Sequence, residues 1–184
     1  MNAGELVPGL VAAVLVFWGV GAHNRLVRLR QAIVAAFAPV EEQFRQRNAL
    51  LLQQLDALAA PDAAAAEAEP ATATEALLAP LRAACTQASH ACEHARGRPG
   101  AAGAITSLRL AEEILTEARA RVAPLAQAGP VPAALNAEIA AADGMLGFAR
   151  RKFNDTVDEY NAAVRQFPTV LIAGLFRFRP AGRL

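Results

Sequence analysis

Apolar residues recur along residues 24–58 at Leu26, Leu29, Ile33, Phe37, Val40, Phe44, Leu51, Leu55 and Leu58. The steps are three and four residues, apart from a gap at Asn48, and this predicts one helix with a single apolar stripe. Pro39 falls inside it; the backbone hydrogen bond it removes predicts a bend there. Residues 59–73 change character: two prolines, alanines and short polar side chains predict a linker. Thr72 and Glu75 then stand at the spacing of a capping box, in which each side chain satisfies a backbone donor of the other at a helix start.

A second helix is predicted to carry Leu77, Leu78, Leu81, Cys85, Ala88 and Cys92 and to stop at Gly97-Arg98-Pro99-Gly100. A third carries Ile105, Leu108, Leu115, Ala118, Val122 and Leu125. The longest pattern follows: Leu135, Ile139, Ala142, Leu146, Ala149, Phe153, Val157, Tyr160, Val164 and Phe167 keep a seven-residue beat. At 1.5 Å per residue the first and fourth helices reach roughly 50 Å and the second and third roughly 33 Å. Short connections favour an antiparallel up-down arrangement. The expected fold is therefore all-α: two long helices (first, fourth) and two shorter ones (second, third) in one helical bundle.

Residues 6–22 read LVPGLVAAVLVFWGVGA, without a charge. This is at the lower limit of the roughly 17 to 25 residues that cross a bilayer as a helix. A cleaved signal peptide would carry Lys or Arg before the apolar run, where this chain has Glu5. Trp18 suits a membrane interface, and Arg25, Arg28 and Arg30 follow the run, which puts the rest of the chain in the cytoplasm. The expected organisation is a membrane anchor over 1–23, a cytoplasmic bundle over 24–167, and an apolar, basic tail over 168–184 near the membrane.

Composition agrees: of 184 residues, 54% are hydrophobic and only 5% aromatic, so small helix-favouring residues dominate. The net charge of +1 hides a division, because residues 49–148 hold eleven acids and six arginines, whereas arginines gather at both ends. Lys152 is the one lysine, and an arginine excess follows from a GC-rich genome as readily as from phosphate chemistry.

Cys85, His90, Cys92 and His94 lie close in sequence, yet helical geometry separates them. At 100° per residue Cys92 falls about 20° from Cys85, while His90 and His94 fall about 140° and 180° away. The thiols are also about 10 Å apart along the axis, too far for a disulfide or shared zinc ligation. The expectation is two buried thiols, two surface imidazoles and no metal site. Adjacent acids such as Glu112-Glu113 and Asp158-Glu159 point in different directions and read as a solvated face. With no nucleophile elbow, phosphate loop or zinc-protease signature in the sequence, no catalytic residue, cofactor or small-molecule substrate is expected. Nucleic acid is not an expected partner either, since no aromatic stacking platform accompanies the arginines.

The C-terminal third poses the remaining question. A polar helix ends at Phe167-Pro168 and runs into the uncharged residues 170–176, which include Leu171, Leu175 and Phe176 and precede Arg177 and Arg179. This run either packs under its own helices or meets lipid and neighbouring chains. Asn154 and Asn161, seven residues apart beside Phe153 and Tyr160, read as amides bonded at the edge of the core to a neighbouring helix or to the chain after Pro168. The alternative is a polar register device at a seam with a partner helix.

The Asn24-Arg-Leu-Val-Arg-Leu-Arg30 exit, together with Ala149-Arg150, Phe153-Asn154, Val157, Tyr160-Asn161, Phe167-Pro168, Leu171-Ile-Ala-Gly174, Phe176 and Phe178, resembles the LemA family. The likeness is carried by the ends of the chain and is weaker over 50–132. It implies a membrane-anchored, mostly helical cytoplasmic domain without an established catalytic activity. Two functions are carried forward. One is a scaffold or adaptor that binds a second copy or another membrane protein; if the second and third helices do not reach the membrane, the first and fourth continue as a two-helix stalk whose apolar flanks around Ile33, Phe37, Tyr160 and Val164 are left partly covered for such a partner. The other is a sensor or remodelling protein of the membrane surface, with residues 170–179 on anionic lipid. A metal-dependent enzyme is a third and weaker class.

Overall fold

A computed structural model describes residues 3–60, 71–129 and 131–184, with side chains from residue 8 and, after the interval 61–70, from residue 75. Among the described residues there are five helices and no strand: α1 (Ala3–Ala59), α2 (Ala71–Gly97), α3 (Ala102–Ala128), α4 (Ala133–Arg165) and α5 (Thr169–Leu175). The all-α expectation holds. The predicted linker falls largely on residues 61–70, outside the described residues, as does the Thr72 side chain of the proposed capping box.

With 57 residues, α1 is about 85 Å long and runs without interruption through position 23, where anchor and bundle were divided, and through Pro39. Phe37 and Val40 are both fully buried on either side of that proline. Their packing holds the helix where one backbone hydrogen bond is missing, since tertiary burial contributes most of the stability of such a helix.

Side-chain contacts give the helix directions. Gln54 bonds Asn136, and the Phe37 and Phe153 rings meet edge to face at 5.7 Å, so α4 runs antiparallel to α1. Asn48 bonds Ser89, and Arg96 lies 3.5 Å from Glu41, so α2 also runs against α1. Arg119 meets Asp143 and Arg150 meets Glu112, which sets α3 against α4. α1 packs chiefly on α4 and α2 on α3, with α5 lying against α1 and α4.

The stripes read from sequence form the core, including Leu26, Ile33, Phe44, Leu81, Leu108, Leu146 and Phe153. Three stripe members do not: Leu77 and Leu125 are exposed near the ends of α2 and α3, where neighbouring helices give less cover, and Phe167 is exposed just beyond the end of α4. A larger correction concerns the flanks expected to be partly covered. Ile33, Phe37, Tyr160 and Val164 are all buried, because the turn between α2 and α3 reaches down to Arg30 and Tyr160 and the chain after α5 covers the rest.

At mid-height the core is polar. Arg47 of α1 donates through Nη1 to Glu112 Oε2 at 3.1 Å and through Nη2 to Oε1, and Arg150 of α4 donates to the same carboxylate. Arg119 grips Asp143 with two bonds of 3.0 and 2.7 Å, and Arg47 lies 3.6 Å from Asp143. Arg47 is only 4% exposed and Glu112 5%. Glu112 is thus no member of a solvated face. The gap in the α1 stripe has the same explanation, because buried Asn48 donates to Ser89 Oγ at 2.8 Å.

Removing one partner of a buried ion pair strands the other charge and costs about 3–5 kcal/mol. Glu112→Ala is therefore expected to lose that much stability, whereas Glu113→Ala, which breaks only an exposed i,i+4 pair with Arg109, loses under about 0.5 kcal/mol. Denaturant melts of the detergent-solubilised chain, followed by circular dichroism, compare the two; equal losses would contradict the buried role.

Candidate functional site

Three parts of the chain meet at the lower end of the α1–α4 pair. After a cis Phe167–Pro168 peptide, α5 turns back against α1. Thr169 and Ala173 are buried beneath it. The His23 ring lies 4.4 Å from that of Phe176 and 5.6 Å from that of Phe178, and a Cβ at Gly19 would sit 3.5 Å from Ile172 Cδ1. The other face of α5 is open: Leu171 is 62% exposed, Leu175 73% and Phe176 53%.

Residues 10–17 and 20 of α1 are exposed too, and Trp18 is half-buried. Two segments distant in sequence thus form one apolar surface, of the kind that marks an interaction site. Among the described residues one helix, α1, is long and apolar enough to cross a membrane, with a best window of mean hydropathy 1.5 that is almost entirely exposed. The question raised by residues 170–176 has a divided answer: one side packs under the chain's own helices and the other faces outward.

The end of α5 is a tight reversal. The Phe178 N–H donates to Ala173 O at 2.9 Å and the Arg177 N–H to Gly174 O at 3.3 Å, a Schellman pattern with Arg177 in the left-handed region at φ 56°. Glycine usually fills that position because a side chain there costs about 1 kcal/mol. The reversal carries Arg177 and Arg179 to the rim of a cavity of about 600 Å³ shared with Arg30 of α1 and Arg98 of the α2–α3 turn. Arg25 and Arg28 are exposed on α1 and do not line it. Arg98 escaped the sequence reading, which took Gly97-Arg98-Pro99-Gly100 only as a helix stop; its signal was a basic residue in a turn at the level of Arg30.

Residues 178–184 then climb between α3 and α4, held by the two asparagines. Asn161 accepts the Ala181 N–H at 2.7 Å and donates to Ala181 O at 3.0 Å. Asn154 does the same to Leu184, at 2.9 and 2.8 Å. The Tyr160 hydroxyl donates to Arg179 O at 3.0 Å, and its burial raises its pKa against the opposing effect of Arg30. On the α3 side, a Cβ at Gly182 would lie 2.8 Å from Ala102 Cα and 3.1 Å from Ile105 Cβ, so only glycine lets the backbone approach that closely. The amides are thus bonded to the chain after Pro168, as their structural reading expected.

Cys85 and Cys92 are buried while His90 and His94 are exposed, the arrangement read from helical geometry. Burial pushes the Cys85 thiol up to about 11 and Cys92 up to about 12, so neither is a ready nucleophile.

The model of the LemA family matches residues 36–183. The match begins beyond the apolar N-terminal residues and includes residues 50–132, where the likeness read from sequence was weakest. No curated protein matches the chain. Nor does any solved structure.

Asn161→Ala removes two hydrogen bonds and leaves the backbone of Ala181 unpaired, at a cost of about 1–3 kcal/mol. Faster amide exchange and earlier proteolysis confined to residues 178–184 are expected; unchanged protection would show that the amide does not hold the tail. Both thiols should resist iodoacetamide at about pH 8.5, where an exposed thiol is already partly ionised, until the chain unfolds. Because their folded pKa values are raised from 9.0, the stability they contribute is present below about pH 9 and declines as pH rises toward 11–12, which melts across that range would register.

Proposed function

As the chain belongs to the LemA family, we propose that it is a membrane-anchored, non-catalytic helical scaffold or adaptor, with α1 crossing the cytoplasmic membrane and α5 lying in the headgroup layer at its exit. The carrying observation is the shared apolar surface of residues 10–20 and α5. Two segments that are distant in sequence expose large apolar side chains together at one end of the helical domain, Leu10, Val14, Phe17, Leu171, Leu175 and Phe176 among them.

The reading has the anchor spanning with its N-terminus outside, and the bundle standing in the cytoplasm; the basic exit at Arg25, Arg28 and Arg30 supports that orientation. A helix of seven residues cannot span a bilayer, but it can lie along its surface. Moving Leu171, Leu175 and Phe176 out of water is worth roughly 1.5–3 kcal/mol for each side chain fully covered. That is enough to hold α5 against lipid once α1 has fixed the protein there, though weak as an anchor alone. A second copy or another membrane protein would meet this same surface, since the flanks of α1 and α4 are used inside the fold.

Buried Cys85 and Cys92 allow selective labelling of an introduced surface thiol. A polarity-sensitive fluorophore on Leu175→Cys, in the full chain reconstituted into vesicles, is expected to emit at shorter wavelength and to be quenched by spin-labelled lipid. The same fluorophore on Phe148→Cys, exposed on α4, should do neither. Matching spectra at the two positions would remove α5 from the membrane surface.

A further inference from the structure

We propose that the cavity lined by Arg30, Arg98, Arg177 and Arg179 is a binding site for the phosphate of an anionic lipid headgroup. The assignment deepens the reading of α5 as a headgroup-layer helix and rests on it.

Charge is the first ground. Four guanidinium groups come from three separate parts of the chain to one cavity, and among the described residues none of them has an acidic partner within 4.0 Å. Arg45, Arg82, Arg109 and Arg121 each pair with a glutamate; exposed Arg25, Arg28, Arg151 and Arg165 stand apart from acids among the described residues as well but do not line the cavity, so what distinguishes the four is their convergence on one opening. Uncompensated arginines around one opening create a positive potential suited to a phosphate, which a guanidinium can grip with two parallel bonds. The start of α3 lines the same cavity without a side-chain cap, adding positive potential of the same sign.

Backbone geometry is the second. Arg177 occupies a left-handed position where glycine would be more stable. Strain of this kind at a charged residue is typical of ligand sites, where the side chain contributes what the backbone gives up.

Position supplies the third and selects lipid as the source of the phosphate. Arg30 stands seven residues along α1 from His23, which touches Phe176; that is about 10 Å, comparable to the depth of one headgroup layer plus the reach of an arginine. The cavity wall also includes Ile33, Val34 and Phe178, and Arg30, Val34 and Phe178 line a neighbouring groove together with Phe176, the residue that closes α5.

The full chain in neutral detergent is offered phosphatidylglycerol, phosphatidylcholine or inorganic phosphate at matched concentrations, with retention read by native mass spectrometry. Selective retention of phosphatidylglycerol is expected. Arg98→Gln and Arg177→Gly should each weaken it about fivefold, the effect of one surface cation, while Arg121→Gln, on the part of α3 remote from the cavity, leaves it unchanged. Arg177→Gly should at the same time raise the Tm, because it relieves the left-handed backbone, so weaker binding cannot be ascribed to unfolding. Equal retention of phosphatidylcholine, or undiminished retention in both cavity variants, overturns the proposal. Inorganic phosphate retained as strongly as the lipid overturns the lipid assignment. The fluorophore at position 175 separates the two readings: selective retention with that probe in water sinks only the placement of α5, whereas a lipid-bound probe without selectivity sinks only the cavity.

Discussion

One buried carboxylate ties three helices together. Glu112 of α3 receives guanidinium groups from Arg47 of α1 and Arg150 of α4. Apolar stripes alone tolerate sliding and rotation, because one leucine contact resembles the next. A bidentate ion pair does not, so this cluster sets the height and rotation at which α1, α3 and α4 meet. The parts below follow from that setting: the α2–α3 turn arrives at the level of Arg30, and the seam between α3 and α4 is left at a width that the returning tail fills. Ion pairs this deep contribute little net stability compared with apolar packing of the same volume. In this molecule their contribution is better described as alignment.

Helices were legible in the sequence because burial on one face leaves a periodic record. Ile139, Leu146 and Phe153 repeat every seven residues, and all three are in the core. Pairing between elements leaves no such record. Glu112 and Glu113 are indistinguishable as letters, yet one lies between two arginines and the other in solvent, a difference decided by where α1 and α4 happen to lie. Arg47 was hidden for the same reason: a charged residue beside a polar one in an apolar stripe reads as an interruption, and its partner is 65 positions away. The extra cover over Ile33 and Tyr160 depended on the descent of the α2–α3 turn, which helix lengths alone do not specify.

The candidate site divides in a similar way. Its apolar half was visible as uncharged runs, and its asparagines stood out by their spacing. Arg98 joined the basic cavity only through tertiary structure. Such a site, built from a helix, a turn and a tail, has no local motif, and its parts need only be brought together by the fold.

The clamp on the tail has a geometric property of its own. Asn154 and Asn161 are two helical turns apart, about 10.5 Å at 1.5 Å per residue. Their targets, Ala181 and Leu184, are three residues apart, and three residues of nearly extended chain also cover about 10 Å. Two different repeats coincide at this one interval, like the marks of a vernier scale. Because the amides grip backbone atoms, the clamp itself reads no side chain, although Gly182 is required by the close approach to α3 and Phe178 and Leu184 pack on the core. What the clamp constrains is therefore the tail's length. Adding or deleting a single residue between positions 181 and 184 would put the second pair of bonds out of phase.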